Sequence, residues 1–351
     1  MSSLFEGSLA TSVLGFAICA VAIGYLGTLL ATTADQLADR TGVGEALMGG
    51  MVLGAVTSIS GSVLSVSAAY SGQAHLALGN ALGGIGAQML FLVVADTCYR
   101  RANLEHAAAS VENIMQGGLL VCMLAVLLMA SYSPPWTLWG VHPATPLLFV
   151  AYFGGMVLVN RSKTEPMWKP VSTAETRVDE PEHDNEELGL LRLWIRFLIL
   201  GLALGIAGWV LQKAASSIVE LSGLDVFIMG ILLTSVATSL PELVTSIAAV
   251  RRGALTLAVS GILGGNAYDS LFAAFSDIAY RDGSIYHKMT PTLSFWIAIN
   301  IAMSGVLIMG LLLRERKGMV RIGFESVSVG VLYVIGVLVL VFGVGEISVA
   351  K

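Results

Sequence analysis

Residues 238–277 read TSLPELVTSIAAVRRGALTLAVSGILGGNAYDSLFAAFSD, and residues 57–96, lying 181 positions earlier, read TSISGSVLSVSAAYSGQAHLALGNALGGIGAQMLFLVVAD. The two stretches align without a gap, and 14 of their 40 positions are identical. Matching positions upstream extend the pair to residues 42–96 and 223–277. Shared Thr-Ser, Gly and Asp positions are harder to obtain by chance than shared apolar ones. The alignment therefore predicts an internal repeat.

The chain is too poor in charge to cover a surface that faces water. Of its 351 residues, 56% are hydrophobic and only 12% are charged, whereas soluble domains carry about 25% charged residues. Apolar runs of about 20 residues, the length that spans a bilayer, recur ten times. The sequence thus predicts an all-α membrane protein with ten transmembrane helices. The predicted spans are 8–32, 44–70, 74–98, 112–131, 143–160, 189–216, 225–250, 254–278, 290–313 and 323–346.

The basic residues predict how these spans are oriented. Fifteen of the 19 Lys and Arg residues fall on one side of the predicted spans; only Lys213, Arg281, Lys288 and Lys351 fall on the other. Loops rich in Lys and Arg stay in the cytoplasm. We therefore expect a multi-pass protein of the cell (inner) membrane, with both termini outside and the polar linker 161–188 in the cytoplasm.

The linker divides the chain into residues 1–160 and 189–351, each with five predicted spans. Because five is odd, the second copy must enter the membrane from the opposite side. Inverted repeats of this kind are typical of secondary transporters that alternate between two open states, although a fold alone does not determine the substrate. The net charge of −5 and the lack of a basic stripe argue against nucleic acid. We find no enzyme motif and no evident protein partner, and we expect no cofactor beyond a transported cation.

Glu242 follows Pro241 in the middle of a predicted span. Proline removes a backbone donor and breaks the helix, so that carbonyls near Thr238 can face an ion. A carboxylate near the bilayer centre costs roughly 2.5–3.5 kcal/mol on insertion scales and needs a partner, water or a cation. The alternative interpretation is a deep helix-capping or packing residue.

Asp269 also lies deep, halfway along the following span, and Asn266 lies on the same helical face. Two carboxylates and several hydroxyls at one depth predict a hard-oxygen site, suited to Ca²⁺, Mg²⁺, Na⁺ or H⁺. The alternative for Asp269 is a structural hydrogen bond between helices. Asp96 and Asp277 fall at span ends, where we expect them to be solvated, and we expect Glu105 in an interfacial segment.

The Thr-Ser-Leu-Pro-Glu run at 238–242, Gly253, and Gly264-Gly265-Asn266 followed by Asp269 resemble the α-repeats of the cation/Ca²⁺ exchanger superfamily, which includes the sodium/calcium exchangers. The resemblance covers both repeats directly, about 100 residues. It implies an antiporter that exchanges Ca²⁺ or another hard cation for Na⁺ or H⁺. The implied cation ligands and lining residues are Glu242, Asp269, Thr238, Thr57, Ser239, Ser58, Asn266 and Gln88.

The first repeat departs from the family pattern. It has Ser60-Gly61 in place of Pro241-Glu242, and Gln88 in place of Asp269. Two carboxylates neutralise one divalent cation, two Na⁺ or two protons, which makes electroneutral exchange one hypothesis. Two further hypotheses remain: a monovalent-cation/proton antiporter on the same scaffold, and a non-transporting membrane protein whose site has decayed. Cation uptake by the parent and by a Glu242→Gln variant would separate them.

Overall fold

The computed structural model describes residues 8–99, 101–164, 168–176, 189–222, 226–316 and 322–349. Most of the predicted linker, Gly223 and both chain ends lie outside the described residues. Within these ranges the regular structure is helical, apart from one isolated β-bridge between Leu138 and Val141. The helices are α1 Leu9–Thr41, α2 Glu45–Leu47, a π-helical segment Met48–Leu53, α3 Gly54–Thr57, α4 Ile59–Tyr70, α5 Ala74–Cys98, α6 Leu104–Ala107, α7 Val111–Tyr132, α8 Ala144–Thr164, α9 Leu190–Ser222, α10 Val226–Thr238, α11 Leu240–Arg252, α12 Leu255–Asp269, α13 Leu271–Ala279, a 3₁₀ turn Ile285–Lys288, α14 Pro291–Leu313 and α15 Phe324–Val349.

Seven of these helices are long and apolar enough to cross a membrane, and the number rises to nine if each of two bent pairs is one span. Both figures cover only the ranges given above. The predicted span 254–278 corresponds to α12 and α13, which Ser270 separates. Two helices are longer than their predicted spans, because α1 continues past residue 32 and α9 past residue 216. These extensions carry polar residues, including Arg40 and Glu220, that a search for apolar runs leaves out.

The helices recur at an offset of 181 residues. α1 and α9 each contain 33 residues and begin at Leu9 and Leu190. α5 begins at Ala74 and ends at Cys98, while the α12–α13 pair begins at Leu255 and ends at Ala279. The recurrence reaches beyond the aligned sequence stretches to helices whose side chains have diverged.

Helix ends recur at the same offset. Gly72 after α4 and Gly253 after α11 both have left-handed backbone conformations, with φ of 77° and 91°. In each copy the amide of the next residue bonds to the carbonyl five residues earlier, at 2.8 and 3.0 Å. This closure requires a left-handed residue, and glycine adopts that conformation without steric cost. The shared glycine therefore has a defined role in ending both helices.

Asp96 and Asp277 are buried, so the expectation that they are solvated was wrong. Asp96 accepts a hydrogen bond from the amide of Leu104 at 2.7 Å, and Asp277 accepts one from the amide of Ile285 at 3.1 Å. In both copies the donor lies eight residues after the aspartate. Each carboxylate fixes the loop after its helix by satisfying an amide that would otherwise be buried without a partner. Sequence position alone did not show that these loops fold back over the helix ends.

Three loops that carry predicted cytoplasmic residues meet at one end of the bundle. The His106 ring Nδ1 lies 2.6 Å from the carbonyl oxygen of Arg314, and the Arg314 guanidinium donates to Thr176 Oγ1 at 2.7 Å. The connection between α5 and α7, the segment 168–176 and the start of the α14–α15 connection are therefore held together. At the opposite end, Asp277 accepts from the amide of His142 at 2.8 Å.

Glu105 is 1% exposed, although we expected it at the membrane surface. It lies in α6, where its carboxyl group interacts with that of Glu325. Burial raises the pKa of Glu105 well above its usual range, and the nearby carboxylates of Asp96 and Glu325 raise it further. The folded chain therefore retains a proton on Glu105 at a pH at which the unfolded chain has lost it.

The retained proton predicts how stability depends on pH. A raised carboxyl pKa contributes stability below the unfolded pKa, and this contribution is lost as pH rises through the folded pKa. We expect the thermal midpoint of the parent to fall as pH rises above the usual carboxyl range, and Glu105→Gln to flatten this fall. Thermal scans in detergent across pH would measure both. The control is Glu112→Gln, a partly exposed glutamate in the first turn of α7; equal slopes in the parent and Glu105→Gln would contradict the prediction.

Candidate cation-binding site

Two helix breaks at equivalent serines form the centre of the site. Ser58 separates α3 from α4 with φ −81° and ψ 5°, and Ser239 separates α10 from α11 with φ −94° and ψ 1°. The flanking helices bend by 50° and 45°. Pro241 follows the second break, as proline at the start of a helix does, whereas the first break forms without proline. The matching conformations show that the Thr-Ser positions bend the helix in both copies.

A narrow cavity lies between the two breaks. Both copies supply its walls, and it is wholly within the described part of the chain. The cavity is lined by Ser58, Gly61, Asn80, Gly84, Gln88, Thr238, Ser239, Glu242, Asp269 and Phe272.

Glu242 reaches this cavity from the first turn of α11 and is 2% exposed. Ser58 Oγ donates a hydrogen bond to Glu242 Oε1 at 3.0 Å. The other oxygen, Oε2, has no hydrogen-bond partner among the described residues. A carboxylate buried with one free oxygen is costly unless a cation, water or proton occupies that position.

Asp269, the last residue of α12, is also 2% exposed. Gln88 Nε2 donates to Asp269 Oδ2 at 2.6 Å and lies 3.5 Å from Ser239 Oγ. Asp269 Oδ1 and Gln88 Oε1 are both buried without a partner in the described ranges. Gln88 and Asp269 are equivalent positions of the two copies, so the repeat brings its own counterparts into contact.

Six of the eight predicted site residues line the cavity, and two do not. Thr57 is buried, and its hydroxyl donates to the carbonyls of Leu53 and Gly54 on the preceding turn, although its side chain also interacts with Glu242. Asn266 is fully buried one turn before Asp269, and neither atom of its amide group has a hydrogen-bond partner among the described residues. The α12 helix directs Asp269, rather than Asn266, into the cavity. The carbonyl of Thr238, expected to face an ion, accepts from Ser60 Oγ at 3.3 Å.

Asn80 also lines the cavity, although it was not among the predicted site residues. Its Nδ2 donates to the carbonyl of Gly61 at 3.1 Å, and its Oδ1 accepts from Thr238 Oγ1 at 3.2 Å. Asn80 therefore connects the two helix breaks. Its spacing from Gly84 and Gln88 could have revealed it, because residues four apart share one helical face.

The free oxygens determine what the cavity can bind. Glu242 Oε2, Asp269 Oδ1 and Gln88 Oε1 are hard donors, which Ca²⁺, Mg²⁺ and Na⁺ prefer to the sulfur and imidazole ligands of soft metals. In the part of the chain described, no group of three or more His, Cys, Asp or Glu side chains is arranged to hold a metal ion. The cavity offers two carboxylates supported by neutral oxygens.

Comparisons with known proteins agree with this architecture. The model of the family described as "Sodium/calcium exchanger protein" matches residues 11–161 and 192–342. The chain is 26% identical over 244 residues to the putative antiporter CaxA of Alkalimonas amylolytica, covering 68% of this chain and 71% of that protein. It is 25% identical over 248 residues to the inner membrane protein YrbG of Escherichia coli (strain K12), covering 70% and 72%.

Solved structures share the fold. The sodium-calcium exchanger NCX_Mj, in crystals soaked with Na⁺ and Sr²⁺, superposes with a TM-score of 0.65 at 16% identity and covers 94% of this chain and 98% of its own. The same protein soaked without Na⁺ and Ca²⁺ gives a TM-score of 0.63. The family model matches more than half of the residues, in two segments 181 positions apart. The chain therefore belongs to the sodium/calcium exchanger protein family.

Proposed function

We propose that the chain is a secondary-active antiporter that exchanges Ca²⁺, or another hard cation, for Na⁺ or H⁺ by alternating access. The observation that carries this proposal is the pair of buried carboxylates, Glu242 and Asp269. Each has one oxygen that is hydrogen-bonded across the repeat and one that is free. The name of the relative CaxA, a putative antiporter, supports the same class of activity.

We propose ten membrane spans in two inverted five-helix repeats, residues 1–160 and 189–351, joined by the linker 161–188. The 181-residue recurrence of helix boundaries supports this arrangement, with α12 and α13 together forming the eighth span. The distribution of Lys and Arg supports a cytoplasmic linker and two external termini. Since the copies would run in opposite directions, the cavity between their helix breaks would lie near mid-membrane.

Two carboxylates limit the charge that one transport cycle can move. If both are ionised, they neutralise one divalent cation or two monovalent ones, so exchange of one Ca²⁺ for two Na⁺ or two H⁺ transfers no net charge. We propose this electroneutral stoichiometry. The hydrogen bonds from Ser58 and Gln88 stabilise the ionised carboxylates when no cation is bound.

Proteoliposomes would test the activity directly. Vesicles loaded with Na⁺, or prepared with an outward proton gradient, should take up radioactive Ca²⁺ when the chain is present, and should do so at equal rates with and without an imposed membrane potential. A marked dependence on potential would refute the electroneutral form. Uptake absent under every gradient would refute Ca²⁺ exchange.

A monovalent-cation/proton antiporter is the second candidate. It is favoured by one observation: the first copy offers the Ser58 hydroxyl and the Gln88 amide to the cavity, in place of carboxylates. Vesicles that exchange Na⁺ or K⁺ for H⁺ but take up no Ca²⁺ would support it. A protein that shows neither exchange activity and binds no cation would instead be a non-transporting membrane protein whose site has decayed.

A further inference from the structure

Gly61 occupies the position in the first repeat that Glu242 occupies in the second. A Cβ atom added to Gly61 would lie 2.8 Å from Phe272 Cε2 and 3.2 Å from Phe272 Cζ. Contacts shorter than about 3.0 Å do not occur for real Cβ atoms. The Phe272 ring therefore fills the space that a side chain at position 61 would need.

The surroundings hold Phe272 in this position. The residue lies in α13, is 2% exposed and lines the cavity. Its ring packs edge-to-face with Tyr268, with centroids 6.2 Å apart and planes at 89°. The Asn80 amide donates to the Gly61 carbonyl, and its Nδ2 lies 3.7 Å from the added Cβ. An aromatic ring and an amide donor thus border the cavity at Gly61.

Neither the ring edge nor the Nδ2 group of Asn80 offers a lone pair to a cation. The atoms Cε2 and Cζ belong to the ring edge, which carries the positive end of the aromatic quadrupole, and Asn80 directs N–H groups toward Gly61. A cation placed against these atoms would lose hydration without gaining oxygen ligands from them.

We propose that Phe272 is a specificity-determining residue, whose ring occupies the space that a first-repeat carboxylate at position 61 would need and so leaves Glu242 and Asp269 as the two anionic cation ligands. This inference rests on the proposed antiport function. The Phe272 ring limits the bound cations to one divalent or two monovalent ions, because it leaves no room for a further anionic side chain. The absence of a first-repeat carboxylate and the position of Phe272 are therefore linked, because the ring occupies the space that the carboxylate side chain would need.

A stability cycle tests the steric contact without relying on transport. Gly61 lies within α4, where replacing glycine with alanine should stabilise a helix, so a loss of stability must come from the ring. We expect Gly61→Ala to lower the thermal midpoint by about 2–6 °C in the parent and to be neutral or stabilising in a Phe272→Ala background. The control background is Phe91→Ala, at the equivalent position of the first repeat, where the full loss should persist. Equal losses in all three backgrounds would overturn the contact.

A binding measurement tests the specificity. The dependence of the thermal midpoint on Na⁺ concentration reports the number of ions bound on folding. We expect Phe272→Ala combined with Gly61→Glu to bind about one Na⁺ more than the parent, and Phe91→Ala to bind the same number as the parent. An unchanged number in the double variant would overturn the specificity role. A parent without any cation-dependent stabilisation would refute the proposed function and this role together, while the alanine cycle would still decide the contact.

Discussion

Glu242→Gln is expected to lower the initial rate of cation exchange at least about 100-fold, equivalent to about 2.7 kcal/mol at 1.36 kcal/mol per tenfold change. The carboxamide keeps the size of the side chain, and its oxygen can still accept the hydrogen bond from Ser58 Oγ. What is lost is the negative charge and the free oxygen Oε2. Truncating one member of a buried charged contact generally costs about 2–5 kcal/mol.

The same variant should be at least as stable as the parent in buffer without cations, because it no longer buries an ionised carboxylate with a free oxygen. Its thermal midpoint should not respond to Ca²⁺ or Na⁺. Asp269→Asn should behave in the same way. The matched control is Glu220→Gln, which changes an exposed glutamate near the end of α9 and should leave exchange unchanged. A Glu242→Gln protein that exchanges cations at the parent's rate would refute the assigned ligand.

Gly264→Ala is expected to destabilise the protein more than Gly61→Ala or Gly261→Ala. A Cβ on Gly264 would lie 2.3 Å from Cα and 2.8 Å from the carbonyl oxygen of Gly50, which belongs to the π-helical segment. Both atoms are backbone, so α12 and this segment would have to move apart. Inserting a group into a closely packed interior costs about 1–3 kcal/mol, and we expect the upper end of this range.

Gly261 provides the control for this substitution. It lies one turn earlier in α12, and an added Cβ there would meet no atom within 4 Å. Gly261→Ala should raise stability by about 0.5–1 kcal/mol through reduced backbone entropy in the unfolded chain. Thermal scans of detergent-solubilised protein, monitored by size-exclusion fluorescence, would compare the two. Similar midpoints for both variants would mean that the close helix crossing is not required.

The apolar runs and the internal alignment at an offset of 181 residues were sufficient to predict the helical membrane class and most helix positions, while the resemblance to the family rested on the motifs around Glu242 and Asp269. Both features can be found in a single sequence without knowledge of how the helices pack. The break at Ser239 was also predictable, because proline follows it. The break at Ser270 and the π-helical segment Met48–Leu53 were not, since they depend on how α12 packs against other helices.

The site was predictable where residue type and depth coincide. Glu242 and Asp269 are carboxylates in apolar spans, and the free-energy cost of placing them in a membrane indicates a functional role. Asn80 and Phe272 are ordinary residues for a membrane helix, and only the approach of the other copy shows that they face the cavity. Asp96 and Asp277 illustrate the opposite error, because the ends of apolar runs were taken as exposed before the covering loops were known.

The shared helix endings at Gly72 and Gly253 have a consequence for how such a protein could arise. The two residues before each glycine differ in charge: Tyr70-Ser71 in the first copy and Arg251-Arg252 in the second. In the proposed orientation the first pair is translocated and the second is retained, as the membrane-insertion machinery would dictate for neutral and basic flanks. Within these segments, the charge difference that favours opposite orientations lies at two surface positions, outside the packed interior. A duplicated gene segment could acquire the reverse orientation through a few codon changes, leaving the folding instructions of its ancestor intact.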